Sequence, residues 1–253
     1  MKLCSYNVNG IRSAFNKGFI DWLEENQPDI VCLQELKAQE NQIDIAKFEN
    51  LGYNVYVHPA EKKGYSGVAI LSKVKPEKIV YGCGEDLYDK EGRIIRADFR
   101  DFSIMSVYIP SGSSGEERQS FKMEFLEFFI SYISELKKTI SPLIISGDYN
   151  ICHNPIDIHN PVSNKNSSGF LPEERAWVTK FLETGFIDTF RFFNQKPHQY
   201  SWWSFRFNAR VKNLGWRIDY HMATSDMKDR LRSAEILQKV VHSDHCPVML
   251  EFD

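Results

Sequence analysis

Apolar residues recur along the chain with two different periods, and the alternation between those periods marks the elements. Lys2 to Val8, with Leu3, Cys4, Tyr6 and Val8, reads as a buried strand. Ile11 to Glu25 then carries Phe15, Phe19, Trp22 and Leu23 at helical spacing and stops before Pro28, predicting one helix. Asp29 to Glu35 (DIVCLQE) is a second buried strand. Tyr53 to His58, Gly67 to Ser72, Ile79 to Gly82, Ile94 to Phe99 and Phe102 to Ile109 follow as a run of strands separated by turn residues. Ser120 to Lys138 is the longest predicted helix, with Phe121, Phe125, Phe128, Phe129, Tyr132 and Leu136 on one side. Pro142 to Ser146 is another buried strand, and Pro172 to Thr184 a helix with Pro at its start and Gly185 just past its end. Gln199 to Ser204, Arg217 to Thr224, Ser233 to Leu237 and Pro247 to Phe252 complete the strands.

About ten strands, joined by both hairpins and crossovers, with no Pro/Gly/Ser-rich linker between them, predict an α/β (α+β) fold. The expected architecture is a four-layered sandwich, two packed mixed β-sheets flanked by helices, with residues 1–253 as one domain. Composition changes this picture little: 42% hydrophobic and 26% charged residues are ordinary for a globular chain. The formal net charge of -3 means that any affinity for phosphate must come from local patches. Five scattered cysteines without a CxxC pair, and a strand-like start without a leader, point to inert thiols in a reducing compartment. No apolar run approaches the roughly 20 residues a spanning helix needs. A cytoplasmic protein is expected.

The candidate chemistry is positional. Asn7 and Asn9 follow the first strand, Gln34 and Glu35 end the second, and Tyr108 ends the strand before Pro110. Asp148 and Asn150 follow the apolar Leu143-Ile144-Ile145, Asp219 lies in Trp216-Arg217-Ile218-Asp219-Tyr220, and Asp244 and His245 precede the last strand. Each has an ordinary reading: asparagines satisfying turns, a solvated Glu35, Asp148 in a turn, Asp219 as a partner of Arg217, Tyr108 in the core. Gathered on one rim, however, carboxylates, amides, a Tyr and a His suit a hard oxygen-liganded cation and a phosphate.

In chain order the motifs are Asn7-Val8-Asn9-Gly10, Leu33-Gln34-Glu35, Tyr108-Ile109-Pro110, Gly147-Asp148-Tyr149-Asn150, Gly215-Trp216-Arg217-Ile218-Asp219-Tyr220 and Ser243-Asp244-His245-Cys246-Pro247. From Lys2 to Phe252 this resembles the exonuclease III family of AP endonucleases, within the deoxyribonuclease I-like phosphodiesterase superfamily. Asn208-Ala209-Arg210 followed by Gly215-Trp216-Arg217 is the part most specific to AP endonucleases. The resemblance implies hydrolysis of the DNA phosphodiester 5′ to an abasic site, leaving a 3′-hydroxyl, with 3′-phosphodiesterase and 3′→5′ exonuclease activity beside it. The alternative is another phosphodiesterase of the superfamily, acting on undamaged DNA, phospholipid headgroups or inositol phosphates.

The same resemblance assigns roles. Glu35 is the principal ligand of Mg²⁺, or Mn²⁺, with Asn7 and Asp244 completing or orienting the site and Asp148 and Asn150 beside it. Asp148 deprotonates the attacking water and Asn150 binds phosphate oxygens. His245, oriented by Asp219, stabilises the transition state, and Tyr108 donates to the phosphate. The sequence leaves open whether Tyr108 also protonates the leaving oxygen.

The expected partner is double-stranded DNA containing abasic sites, bound by a monomer with no membrane involved. Thr189 to Ile218 contains no acidic residue but six basic and nine aromatic ones, a combination that suits phosphate contacts with stacking. The resemblance puts Trp202 and Trp216 around the extruded deoxyribose and Asn164, Arg206, Asn208, Arg210 and Lys212 against the DNA. Arg206 stands where relatives carry an apolar wedge, and the arginine that animal enzymes insert into the duplex is missing after Pro110.

Overall fold

In the computed structural model, which describes residues 1–253, the chain opens with β1 (Lys2–Asn7), α1 (Ile11–Asn16), α2 (Phe19–Asn26) and β2 (Ile30–Gln34). It continues through α3 (Ala46–Glu49), β3 (Asn54–His58), β4 (Val68–Ser72), β5 (Lys78–Tyr81), α4 (Asp86–Asp89), β6 (Ile94–Asp98) and β7 (Ser103–Tyr108). The long helix α5 (Glu116–Leu136) leads to β8 (Leu143–Asp148), α6 (Pro172–Glu183), β9 (Phe186–Asp188) and α7 (Thr189–Phe193). Last come β10 (Asp219–Thr224), β11 (Leu231–Ile236) and β12 (Val248–Phe252). The strands form two six-stranded sheets, ordered β11-β12-β1-β2-β4-β3 and β5-β6-β7-β8-β10-β9. In each sheet one central pair, β1–β2 or β7–β8, is parallel. No helix is long and apolar enough to cross a membrane.

Three apolar layers hold four structural layers together. Along β1, Leu3 joins Ile30, Ile70, Ile104, Ile144 and Leu250 between the sheets. Cys4 and Tyr6 point the other way, onto Phe19 and Trp22 of α2. In the second sheet Met105, Val107 and Ile145 meet Phe125 and Phe129 of α5 and Phe181 of α6. Strands covered on both faces read as continuous apolar runs, which is why these central strands were visible in the sequence. Two polar seams cross the inter-sheet layer. The Gln34 amide donates to the Ser5 and Ser106 hydroxyls at 3.2 and 3.1 Å. The His221 ring bridges Ser146 Oγ at 2.7 Å and the Val248 carbonyl at 3.0 Å.

The structure departs from the sequence reading in four places. The helix expected over Ile11 to Glu25 breaks at Gly18, whose φ of 87° cannot continue a right-handed helix. The buried stripe of α5 is Lys122, Phe125, Leu126, Phe129, Ile130 and Ile133. Phe121, Phe128, Tyr132 and Leu136 only flank it, because bulky side chains cover the layer edge without entering it. Gln199 to Ser204 is not a strand; Trp202 makes single bridges to Trp216 and His245. The short elements α3, α4, β9 and α7 have no strong periodic signal.

Candidate active site

Strand direction gathers the polar positions on one rim. Parallel pairing sets Asn7 opposite Gln34 and Tyr108 opposite Asp148, so β1, β2, β7 and β8 all end on the same side. β10 runs antiparallel to β8 with Asp219 opposite Asp148, so its first residue reaches the same rim. β12 begins beside the end of β1, Val248 opposite Ser5, which brings Asp244 and His245 there too. Glu35 and Asn150, just beyond β2 and β8, adopt left-handed backbone with φ of 51° each. Such strained positions cluster where a side chain must be aimed. Gln34, in contrast, faces the inter-sheet seam and takes no part in the cluster.

The cluster is continuous in hydrogen bonds. His245 Nδ1 lies 2.9 Å from Asp219 Oδ2 and 3.2 Å from Oδ1, and His245 Nε2 lies 3.8 Å from Asp148 Oδ2. The Asn7 amide donates to Asp148 Oδ2 at 2.8 Å and to Glu35 Oε2 at 3.1 Å. The Asn150 backbone N–H holds Asp148 Oδ1 at 2.8 Å, and its side-chain amide donates to the Ile109 carbonyl at 2.9 Å. Asp244 accepts from Asn9 at 2.8 Å and from the Trp202 indole at 3.0 Å, so both its oxygens are engaged by neighbours. Lys37 Nζ sits 3.3 Å from Glu35 Oε1. Arg217, an alternative partner for Asp219, is instead enclosed against Asp157 at 2.7 Å and Asp188 at 2.6 Å. Cys246 is buried away from the imbedded imidazole, its Sγ toward the Tyr200 carbonyl.

These contacts move the protonation equilibria. Burial opposes charge on His245, but Asp219, then Asp148 and Asp244, outweigh it and raise its pKa. Burial raises the Asp148 carboxyl, opposed by the His245 charge and by the Asn150 and Asn7 donors. Burial, with Glu35 and Asp148 next to it, holds the Tyr108 phenol firmly protonated. An imidazole drawn toward its charged form, a carboxyl drawn toward its neutral form and a phenol kept as a donor are suited to moving protons at a phosphate.

The cluster forms the floor of an open cleft of about 850 Å³. Trp202 and Trp216 line it with their rings 6.0 Å apart and nearly perpendicular, together with Ile218 and Gly169. Lys37, Lys62, Arg93 and Arg118 also line the cleft. Of the seven residues expected to meet DNA, Trp202 and Trp216 line this cleft. Arg206, Asn208 and Lys212 lie exposed on the loop between them. Asn164 turns its amide onto the His159 and Asn160 carbonyls of its own loop. Arg210 is turned inward: its guanidinium donates to the carbonyls of Ser243, Gln238 and Val240 and lies over the Trp203 ring.

Asp148, Asp219 and His245 offer three potential ligand atoms within 4.8 Å of one another, a group that could hold a metal ion. Both Asp219 oxygens are engaged by His245, however, and imidazole is a poor match for a hard cation. Glu35 is the better fit. Its carboxylate faces the cleft and already draws in the Lys37 ammonium as a counter-charge. Arg93 was missed by the sequence reading. It is buried, donates to the Tyr108 carbonyl at 2.8 Å and lies 5.0 Å from the Tyr108 ring centre. An arginine inside a strand-rich stretch carries no signal of that kind. Lys122 did carry one, a charge at helical spacing from Phe125, Leu126 and Phe129.

Known proteins resemble this chain along its whole length. A family model described as the Endonuclease/Exonuclease/phosphatase family matches residues 4–245. An exodeoxyribonuclease of Bacillus subtilis (strain 168) is 44% identical over 252 residues, 99% of this chain and 98% of that protein. The DNA repair nuclease APEX1 of Danio rerio is 39% identical over 253 residues, 99% of this chain and 81% of that protein. An AP endonuclease structure from Archaeoglobus fulgidus superposes with a TM-score of 0.91 at 33% identity, covering 100% of this chain and 99% of that one.

Proposed function

This chain belongs to the endonuclease/exonuclease/phosphatase family, and from that membership and the cleft we infer a DNA-repair hydrolase of the exodeoxyribonuclease and AP endonuclease type. The bond cut is the phosphodiester 5′ to an abasic site in double-stranded DNA, and the product carries a 3′-hydroxyl. One observation carries this reading: a hydrogen-bonded Asp219–His245 pair faces Asp148 across 3.8 Å, at the floor of a cleft flanked by two tryptophans.

Each residue has a task that follows from its partners. Asp219 fixes a proton on His245 Nδ1, so Nε2 is turned toward Asp148 and the cleft. There the imidazolium donates to a phosphate oxygen and stabilises the charge that develops on it. Asp148, raised toward neutral pH by burial, takes the proton of the attacking water as the water oxygen bonds to phosphorus and the bond to the 3′ oxygen breaks, the leaving oxygen taking up a proton from solvent. Asn7 and the Asn150 N–H keep that carboxylate in register. Asn150's side chain and the Tyr108 hydroxyl bind the remaining phosphate oxygens, with Arg93 behind Tyr108 fixing the phenol. Glu35, oriented by Asn7, would hold Mg²⁺ or Mn²⁺, which when bound neutralises phosphate charge. Asp244 orients Asn9 and the Trp202 indole rather than offering a free oxygen.

Selectivity for the lesion follows from space. The indoles of Trp202 and Trp216 with Ile218 make an apolar slot for a sugar without a base, and a base-free nucleotide leaves the helix at little stacking cost. The test is a duplex bearing one tetrahydrofuran abasic analogue beside an otherwise identical intact duplex. Expected are a single nick 5′ to the analogue, loss of cutting in EDTA with recovery in excess Mg²⁺, and much slower attack on intact DNA. Equal cleavage of both duplexes would remove the lesion from the function and favour a general nuclease.

A further inference from the structure

Lys122 of α5 and Glu174 of α6 form an ion pair with no exposed surface, and the reaction as described makes no use of it. Lys122 Nζ lies 2.6 Å from Glu174 Oε1, both side chains fully enclosed. Lys122 occupies the stripe shared by Phe125, Leu126 and Phe129, where an apolar side chain would pack without desolvating a charge. Burying such a pair strips both ions of their hydration, and apolar replacements often equal or exceed it in stability. Stability alone therefore does not account for the pair, and its remaining hydrogen bonds suggest what does.

Two of them end on backbone that lines the reaction cleft, at Asn150 and Gly169, and a third reaches Ser168 of its wall through Gln119. Lys122 Nζ donates to the Asn150 carbonyl at 2.9 Å. Glu174 Oε2 accepts the Gly169 N–H at 2.6 Å and the Leu171 N–H at 3.0 Å. Gln119, one turn before Lys122 on α5, donates to Glu174 Oε1 at 3.1 Å and accepts the Ser168 hydroxyl at 2.7 Å. The two segments so held also touch each other. A Cβ on Gly169 would press on the Asn150 carbonyl oxygen at 3.1 Å and the Trp216 ring at 3.0 Å, and the φ of 93° there favours glycine as well.

We propose that Lys122 is a positioning residue for the hydrolysis, acting with Glu174 and Gln119 as a buried strut behind the cleft. Lys122 holds the carbonyl on one side of the Asn150 Cα, and the left-handed φ of 51° at that residue sets the N–H on the other side, which donates to Asp148 Oδ1. Glu174 and Gln119 fix Ser168 and Gly169, and with them the surface against which Trp216 rests. Remove the ammonium, and the Asn150 carbonyl loses its donor, so the residue whose N–H aims Asp148 is held less firmly. The kinetic part of the argument rests on the functional reading above.

Lys122→Met, Lys122→Met/Glu174→Gln and Leu126→Ala are compared with the unaltered full chain. Leu126→Ala removes packing from the same helix without touching the cleft. The double variant guards against unfolding, because it leaves no unpaired buried charge and keeps a carbonyl for the Gly169 and Leu171 N–H groups. Cutting of the tetrahydrofuran duplex is measured at saturating Mg²⁺, with urea unfolding of each protein. Both Lys122 variants should lose kcat by about tenfold to a hundredfold with KM changing much less, whereas Leu126→Ala keeps kcat within about twofold at similar stability. Amide hydrogen exchange supplies a readout independent of activity. Segments around Asn150 and Gly169 should exchange at least about tenfold faster in both Lys122 variants than in Leu126→Ala. Unchanged exchange in the Lys122 variants, or a kcat that follows stability across all three, overturns the strut. An unaltered protein that fails to cut the abasic duplex counts against the functional reading alone, since the exchange comparison still decides the strut.

Discussion

A carboxylate and an imidazole 2.9 Å apart and enclosed together form one functional unit, because neither can change charge without the other responding. Asp219→Asn preserves shape, but its amide no longer favours a charged ring or a proton on Nδ1. The loss should appear in the chemical step: kcat lower by roughly 10²-fold to 10⁴-fold, with KM changed far less. Single-turnover cutting at saturating duplex measures it, and a fall below about fivefold would take His245 out of the proton and charge chemistry. Residues of this kind were legible in the sequence because polar side chains at the ends of apolar strands are costly unless a site uses them. Asn7, Glu35, Tyr108, Asp148, Asn150, Asp219, Asp244 and His245 all stood at such ends, and the structure gathers them on one rim. Arg93 and the true surroundings of Arg210 were not legible. Both depend on which backbone carbonyls come within reach after folding, and a carbonyl is the same at every residue.

At the scale of elements, the segment from Ser204 to Leu214 shows how a loop can be fixed at its base and free at its tip. Arg210 ties it to the Ser243, Gln238 and Val240 carbonyls, while Phe205, Arg206, Phe207, Asn208 and Lys212 remain exposed. Arg206 and Lys212 make no ion pair within the protein and are free to meet phosphate. Replacing either with Ala should weaken duplex binding evenly across sequences and reduce the slope of log affinity against log salt by about 1. Titrations of an uncut abasic duplex in EDTA over a range of KCl give that slope; an unchanged value would make these cations solvated bystanders. The central strands were predictable because apolar layers on both faces impose continuous apolar runs. The Gln199 to Ser204 segment imitated that pattern with aromatics that serve a cleft wall and a small satellite core around Tyr200 and Trp203. Gly18 broke a helix whose apolar spacing ran straight through it, since backbone conformation at one glycine leaves no trace in hydrophobic periodicity.

At the scale of the whole molecule, the two sheets meet through an apolar layer crossed by two polar seams, one of them built on a buried imidazole. His221 reaches from β10 in one sheet to the Val248 carbonyl on β12 in the other, with Ser146 on its second nitrogen. With one nitrogen donating and the other accepting, the ring fits this bridge when neutral, and burial lowers its pKa from 6.5 to about 4. An unfolded chain takes up this proton near 6.5, whereas the folded chain refuses it until about 4. The contribution to stability is therefore complete above pH 6.5 and is lost as pH falls through that window. The gap corresponds to roughly 3 kcal/mol. Asp157 acts lower on the scale: burial would raise its pKa, but Arg217 and then Arg191 hold it down to about 2, so its contribution persists until pH drops below 3.8. The two windows separate cleanly. Urea unfolding of the unaltered chain and of His221→Gln at a series of pH values should show the variant less stable at pH 7.5 but losing less stability between pH 6.5 and pH 4. Identical pH dependence in the two proteins would mean that the imidazole is not held neutral between the sheets.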